Sequence, residues 1–308
     1  FLKKHIYRYR ALFIDWFGGE IFLAKQNILS IAKKKKIICQ ENHITFLSSI
    51  TTNGYYLDFE TFSGLLAGNV IYFQVTIDGN KEWHDRYRPL KNGQGTYDVV
   101  FNNLLSIKKN VSNSKVFRLT IRNNISNENK EACIQFEKVF KKNFGDDERF
   151  QLFQFPIKDW GGEKIVDLKE HLNDENSLNL SHTENYRNDI FESIESSCCL
   201  AAKKNGFVID PDYFVYKCNH YIQGGKIAGI TNKVGILKQN GELFINEEEN
   251  KRWYYRKIEK KCEECKYLPN CLPQCPLSSI IPNQMCETEK EKEMMDKLER
   301  YRKKQNLI

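Results

Sequence analysis

Val75-Thr76-Ile77-Asp78-Gly79, then His84-Asp85-Arg86-Tyr87-Arg88-Pro89, then Gly93-Gln94-Gly95-Thr96-Tyr97, is the stretch that decides how this 308-residue chain is read. The apolar run Val70 to Ile77 predicts a strand, and Tyr97 to Lys109 carries apolar residues at helical spacing. Working outward, Ala11 to Phe17, His43 to Thr52, Val116 to Ile121 and Phe150 to Phe155 read as strands. Gln26 to Lys36, Thr61 to Ala67 and Glu128 to Lys142 read as helices. Such alternation predicts βα units on a parallel sheet, with functional loops at the C-terminal ends of the strands.

The remaining motifs of this half fall at those ends. Trp16-Phe17-Gly18-Gly19-Glu20 follows the first strand, and Thr51-Thr52-Asn53-Gly54 closes the second. Paired glycines let a backbone approach a ligand closely, and the adjoining carboxylate can accept from an ammonium group. Gly-Gly and Asn-Gly also make ordinary turns. For His84 and Asp85 the plainer reading is that they cap and pin their loop.

Near the other end the chemistry is that of sulfur. Five of the ten cysteines fall within 25 residues, as Cys262-x2-Cys265-x5-Cys271-x3-Cys275 and then Cys286. Cys198, Cys199 and Cys218 lie upstream and complete eight thiols, enough for two sites of four. Scattered charges and no apolar leader suggest the cytoplasm, where thiols stay reduced, so metal is favoured over disulfides. With a single CxxC and irregular gaps, iron–sulfur clusters fit the spacing better than paired zinc knuckles, although ligand type alone does not exclude zinc. Cys39 and Cys133 sit in core-like patterns and read as buried thiols.

Composition sets the outer bounds. Hydrophobic residues at 41% and aromatics at 13% suit a globular chain, and the length allows one large domain and a small one. No apolar run approaches the roughly twenty residues of a membrane span, and no signal peptide is visible. The net charge of +7 is dispersed apart from Lys33 to Lys36, which reads as a solvated helix end facing the negative pole of its dipole rather than a nucleic-acid contact. Neither a membrane nor a nucleic-acid partner is expected.

Together these stretches resemble the radical S-adenosylmethionine (SAM) enzymes that carry a SPASM auxiliary-cluster module. Gly18-Gly19-Glu20 is similar to that family's GGE motif, with Ile21 where Pro is usual. Thr52-Asn53-Gly54 resembles its TNG loop, and the opening stretch its S-x-D-G...HDxxRP...GxGTF signature, with Thr76 for Ser. The cysteine array resembles the SPASM pattern from Cys199 onward, with Tyr213 where the family has Gly. The implied fold is α/β: a partial (β/α)6 TIM-like barrel at 1–160, a connector at 161–183, the SPASM module at 184–286 and a charged helix at 287–308.

By the resemblance, Gly18, Gly19, Glu20, Asn53, Thr76, Asp78 and Arg88 bind SAM, Glu20 through the amino group and Thr76 and Arg88 through the carboxylate. Arg118 or Arg122, around the next strand's end, is a further candidate to face the cofactor, with no motif match that assigns it. Cys198 or Cys199, Cys218 and Cys275 hold one auxiliary 4Fe–4S cluster; Cys262, Cys265, Cys271 and Cys286 hold a second. The family's catalytic cluster uses CxxxCxxC, and no such triplet occurs in the sequence. The chain therefore reads as lacking the first βα unit, with a naturally cluster-less relative as the alternative. A catalytic 4Fe–4S cluster and reductive cleavage of SAM are expected only with that segment, and no catalytic residue is assigned.

The implied activity is maturation of a ribosomally made peptide by thioether or carbon–carbon crosslinking, through hydrogen abstraction by a 5′-deoxyadenosyl radical. A sulfatase-maturating enzyme is the nearest enzymatic alternative, and a non-catalytic cluster protein that recognises peptides is the other. The implied partners are a precursor peptide or protein substrate and an electron donor such as flavodoxin or ferredoxin.

Overall fold

The computed structural model describes residues 2–112, 115–156, 199–219, 222, 226–227 and 230–255. Cys198, Cys262, Cys265, Cys271, Cys275, Cys286, the connector at Trp160-Gly161-Gly162 and the tail from Glu287 lie outside them. The chain divides into two compact units, Leu2–Tyr186 and Arg187–Ile308.

In the larger unit β1 (Ala11–Trp16), β2 (Thr45–Thr52), β3 (Val70–Thr76), β4 (Arg118–Ile125) and β5 (Phe150–Pro156) form one sheet in that order. Every pairing is parallel, so all C-terminal ends share one edge. A short helix α1 (Leu2–His5) precedes the sheet. Between strands run α2 (Lys25–Glu41), α3 (Phe59–Ala67), α4 (Lys81–Tyr87), α5 (Tyr97–Asn110) and α6 (Lys130–Phe144). Alternate strand residues, among them Ile50, Phe73, Val75, Leu119 and Ile121, are buried in one core with Phe62, Leu104, Phe136 and Phe144 from the helices. The opposite face carries partly exposed polar groups, including Ser49, Thr51, Gln74, Thr120 and Arg122. This is the period-two division of a strand between two environments.

Several boundaries differ from the sequence expectation, and three of them have a clear physical reason. Helix α2 does not end with the lysines but runs on to Glu41, because Cys39 continues the buried stripe begun by Ile28 and Ala32. Lys33 to Lys36 are thus mid-helix, and Lys36 donates to the Ala67 carbonyl at 2.8 Å. The run does meet the negative end of a helix, but of α3 rather than its own. His43, at φ 55, breaks the chain after α2, so β2 starts at Thr45. Strand β4 is displaced to Arg118–Ile125, leaving Val116 81% exposed before it.

In the smaller unit β6 (Val208–Ile209), β7 (Phe214–Tyr216), β10 (Lys233–Leu237) and β11 (Leu243–Ile245) form an antiparallel sheet in the order β11-β10-β7-β6. A separate hairpin joins β8 (Lys226–Ile227) to β9 (Ile230–Thr231). Helix α7 (Glu247–Tyr254) places Trp253 in a small core with Ala201, Val215, Val234 and Cys218, and the indole N–H donates to the Thr231 carbonyl at 3.2 Å.

The turn from β6 to β7 explains why a glycine suits position 213. Tyr213 has φ 66, in the left-handed region, and its N–H reaches the Asp210 carbonyl at 3.0 Å. Asp210 holds the turn from both sides, accepting from the Phe214 N–H at 2.8 Å and the Tyr216 hydroxyl at 2.9 Å. A side chain in that conformation costs about 1–2 kcal/mol, and the half-exposed tyrosine ring has little packing to lose. Tyr213→Gly is therefore expected to stabilise the smaller unit by about 1 kcal/mol in urea unfolding. A destabilising result would show that the ring packs better than its exposure implies.

Candidate functional site

The C-terminal edge of the parallel sheet gathers the motif residues of the larger unit. Glu20, just beyond β1, accepts from its own loop through Phe22 N–H at 3.0 Å. It also reaches across to the end of β2, accepting from the Thr52 hydroxyl at 2.9 Å and the Asn53 N–H at 2.9 Å. Three donors occupy a carboxylate with about four acceptor positions, which leaves capacity for one more. The Thr52 hydroxyl in turn accepts from Gly54 N–H at 3.0 Å, and Asn103 on α5 donates to the Gly54 and Tyr55 carbonyls. Gly54 has φ +82, and a Cβ there would lie 2.6 Å from Val75 Cγ1. Only glycine fits that turn. Gly19 is different: a Cβ there would meet nothing within 4 Å, so the room beside it belongs to no protein group among the described residues.

The end of β3 forms a second hub. Asp78 accepts from the Arg88 Nε at 2.5 Å on one oxygen, and on the other from the Asn124 N–H at 2.9 Å and the Asn124 side chain at 3.0 Å. Three donors thus engage its carboxylate, which holds Arg88 and ties β3 to β4. Thr76 is buried, and its hydroxyl makes no hydrogen bond to a described residue. Arg122 stands beside it in register on the partly exposed sheet face, its guanidinium 4.4 Å from the centre of the Phe155 ring.

His84 and Asp85 are engaged within the protein. The His84 Nδ1 accepts from Asp78 N–H at 3.2 Å, and its Nε2 lies 3.1 Å from the Thr96 hydroxyl. Thr96 passes its own proton to the Arg88 carbonyl at 2.7 Å, which makes Nε2 the protonated nitrogen. Burial, reinforced by the nearby Arg88 charge, pushes the His84 pKa down to about 4. Asp85 accepts from Thr96 N–H at 2.7 Å and Tyr97 N–H at 2.8 Å, capping α5 from eleven residues upstream. A cleft of about 250 Å³ opens over these groups, lined by Asn53, Tyr55, Tyr87, Arg88, Pro89 and Leu90, with His84 and Thr96 also reaching it.

The side chains that carry this network beyond the expected set are Asn124, Thr96 and Asn103. Their partners lie 46, 8 and 49 residues away, so no local spacing marks them.

In the smaller unit Cys199 and Cys218 border the same small core. Lys217, next to Cys218 in sequence, is 0% exposed, its ammonium donating to the Lys203 carbonyl at 2.6 Å and lying 4.8 Å from the Phe207 ring centre. Asn232 clasps the next residue, accepting from Cys218 N–H and donating to its carbonyl, each at 2.8 Å. Burial pushes the Lys217 pKa down to about 8, and the nearby Cys199 and the Glu247 carboxylate act against that shift. Among the described residues no group of three or more His, Cys, Asp or Glu gathers as a metal site, the other cysteines of the array lying outside them. Cys39 and Cys133 are buried, and burial pushes the Cys133 thiol up to about 12.

No protein-family profile matches the chain. In sequence it is 25% identical over 264 residues to a cysteine-type anaerobic sulfatase-maturating enzyme of Clostridium novyi (strain NT). That match takes in 76% of this chain and 64% of the relative, under two thirds of the relative's own length. In structure the chain is similar to anSMEcpe with bound AdoMet and Kp18Cys peptide, at a TM-score of 0.64 and 18% identity, over 99% of this chain and 87% of that one. The same protein with AdoMet and Cp18Cys peptide gives 0.61 and 18%, covering 99% and 88%. The chain shares the α/β fold of that protein, here a parallel sheet of five strands with helices between them. Among the described residues no helix is long and apolar enough to cross a membrane.

Proposed function

We propose that this chain binds SAM at the C-terminal edge of its parallel sheet and serves a radical SAM maturase whose substrate is a peptide or protein segment. The observation that carries the reading is the convergence there of Glu20, held by Thr52 and Asn53, with Arg88, held by Asp78. Glu20 retains acceptor capacity for the methionine ammonium group; Arg88 and the Thr76 hydroxyl offer donors for its carboxylate. Gly18 and Gly19 give the backbone room to approach, and Asn53 lines the neighbouring cleft. When bound with a reduced catalytic cluster, SAM supplies the 5′-deoxyadenosyl radical that abstracts hydrogen from the substrate.

Cys198 or Cys199, Cys218 and Cys275 are assigned to one auxiliary 4Fe–4S cluster, and Cys262, Cys265, Cys271 and Cys286 to a second. Between the two maturation chemistries, likeness to a cysteine-type sulfatase-maturating enzyme favours oxidation of a substrate cysteine over crosslinking of a precursor peptide. No CxxxCxxC triplet lies in the 308 residues, so radical formation is not assigned to them.

Two measurements test the reading. Anaerobic reconstitution is expected to give a brown protein with about two 4Fe–4S clusters; stoichiometric zinc without visible absorption would overturn the iron assignment. Joined to a segment that supplies CxxxCxxC, the chain is expected to bind SAM and release 5′-deoxyadenosine under reduction. Arg88→Ala should then weaken SAM binding about tenfold or more, the usual range for a lost charged hydrogen bond. Equal affinity removes Arg88 from the site. With a cysteine-bearing peptide, thiol loss without joining of residues supports the sulfatase-type reaction; loss of two hydrogens per newly joined residue pair supports crosslinking.

A further inference from the structure

We infer that Thr51, Gln74, Thr120 and Gln151 form a floor that holds the main chain of the substrate segment, so that the protein reads backbone amides there rather than side chains. The inference rests on the maturase reading above and deepens it. The four residues make one lateral row across β2, β3, β4 and β5, since Thr51 pairs with Gln74, Gln74 with Thr120 and Thr120 with Gln151. All four are half-buried, and among the described residues none of their side chains makes a hydrogen bond. An all-parallel sheet normally has both faces covered by apolar packing, and its strands then read as continuous hydrophobic runs. Here one face is an ordinary core of Ile50, Phe73, Val75, Leu119 and Ile121, while this row on the other face keeps hydrogen-bonding capacity that no described residue uses.

The chemistry of the row narrows the ligand. Each Gln offers donors and an acceptor, and each Thr a hydroxyl that serves as either, which is what the N–H and C=O of a peptide unit require. None of the four is charged, so a carboxylate or ammonium group brought onto the row would lose its water without a counter-ion. Strands about 4.8 Å apart spread four side chains over about 14 Å, the span of about four extended residues. The next row toward the C-terminal edge holds Thr76 and Arg122 in register, about 7 Å further along the strands. A segment on the floor therefore lies beside the hydroxyl assigned to the SAM carboxylate.

The test measures binding of SAM and of a fluorescein-labelled peptide, one cysteine flanked by alanines, to the full chain joined to a segment that supplies CxxxCxxC. A second peptide carries N-methylated amides on either side of the cysteine. Gln74→Met and Thr120→Val nearly keep side-chain size and remove the hydrogen-bonding groups. Each is expected to raise the dissociation constant of the first peptide about three- to tenfold, the range for a lost neutral hydrogen bond, and to leave SAM affinity unchanged. The N-methylated peptide should bind wild type less well than its parent and should discriminate less between wild type and the double variant. Unmoved peptide affinity in the double variant, an N-methylated peptide that binds as well as its parent, or a wild type that binds SAM but not the peptide would each overturn the inference. Loss of SAM and peptide affinity together in both single variants would also overturn it and leave the row a structural element. A wild type that binds no SAM sinks the maturase reading itself, an outcome distinct from bound SAM with unmoved peptide affinity.

Discussion

Gly95→Ala is expected to cost the larger unit about 2–3 kcal/mol and to lose most of that effect when Asp85 is also replaced by alanine. A Cβ at position 95 would overlap the Asp85 carboxylate. That carboxylate accepts from the first two amides of the α5 segment, at Thr96 and Tyr97, where Thr96 itself makes no side-chain cap. A capping residue is worth about 0.5–2 kcal/mol and a hydrogen bond to a charged group about 1.5–3. The positive end of the helix dipole adds to the attraction. Gly95 is thus a glycine for lack of room rather than for an unusual backbone angle. The double-mutant cycle in urea decides the matter: a coupling of about 2 kcal/mol is expected, and simple additivity would show that the two residues act separately. Because Thr96 also bonds the Arg88 carbonyl, the same substitution should weaken SAM binding by the cluster-bearing protein.

That pairing shows what a sequence can and cannot disclose here. The strands were legible because each is a short apolar run ending in Gly, Asn or Asp, and those punctuating residues placed the motifs on the correct edge of the sheet. Helix α4 was not anticipated. Lys81–Tyr87 is seven residues of mostly polar side chains, begun by Asn80 accepting from Trp83 N–H at 3.0 Å, and shows no apolar period. Strand β4 was placed early because Asn123 and Asn124 look like loop residues. Inside the sheet the Asn123 side-chain amide donates to the Ile77 carbonyl at 2.7 Å and that of Asn124 donates to Asp78, contacts that exist only once β3 and β4 are paired.

Asp78 gives the sharper lesson. Its place in an Asp-Gly motif near Arg88 suggested contact with the cofactor. The geometry commits three of its acceptor positions to Arg88 and Asn124, so Asp78 orients the guanidinium as well as standing at the sheet edge. Spacing reveals which residues share a loop; it does not reveal which of them spend their hydrogen bonds on one another.

The same hub predicts an acid-sensitive fold centred on His84. Its Nδ1 must be unprotonated to accept from Asp78 N–H, and its Nε2 hydrogen points to Thr96, whose hydroxyl is committed to the Arg88 carbonyl. A second ring proton would face the Asp78 amide hydrogen. Burial first, and the Arg88 charge second, push the folded pKa down to about 4 from the ordinary 6.5. Between those values the unfolded chain takes up a proton that the folded chain refuses, so stability falls as pH drops through the window and is fully present above it. At 1.36 kcal/mol per unit the whole window is worth about 3 kcal/mol. His84→Asn, whose amide oxygen can replace Nδ1 as acceptor, removes the titration. The variant should be less stable than wild type in urea at neutral pH, with the gap closing or reversing near the acid end of the window. Parallel curves for the two proteins would mean that His84 takes up its proton as readily in the folded chain as in the unfolded one. If the curves converge as expected, protonation of the folded chain would break the chain of bonds from Asp78 through Thr96 to Arg88, and SAM affinity should fall only as pH approaches the folded value of about 4.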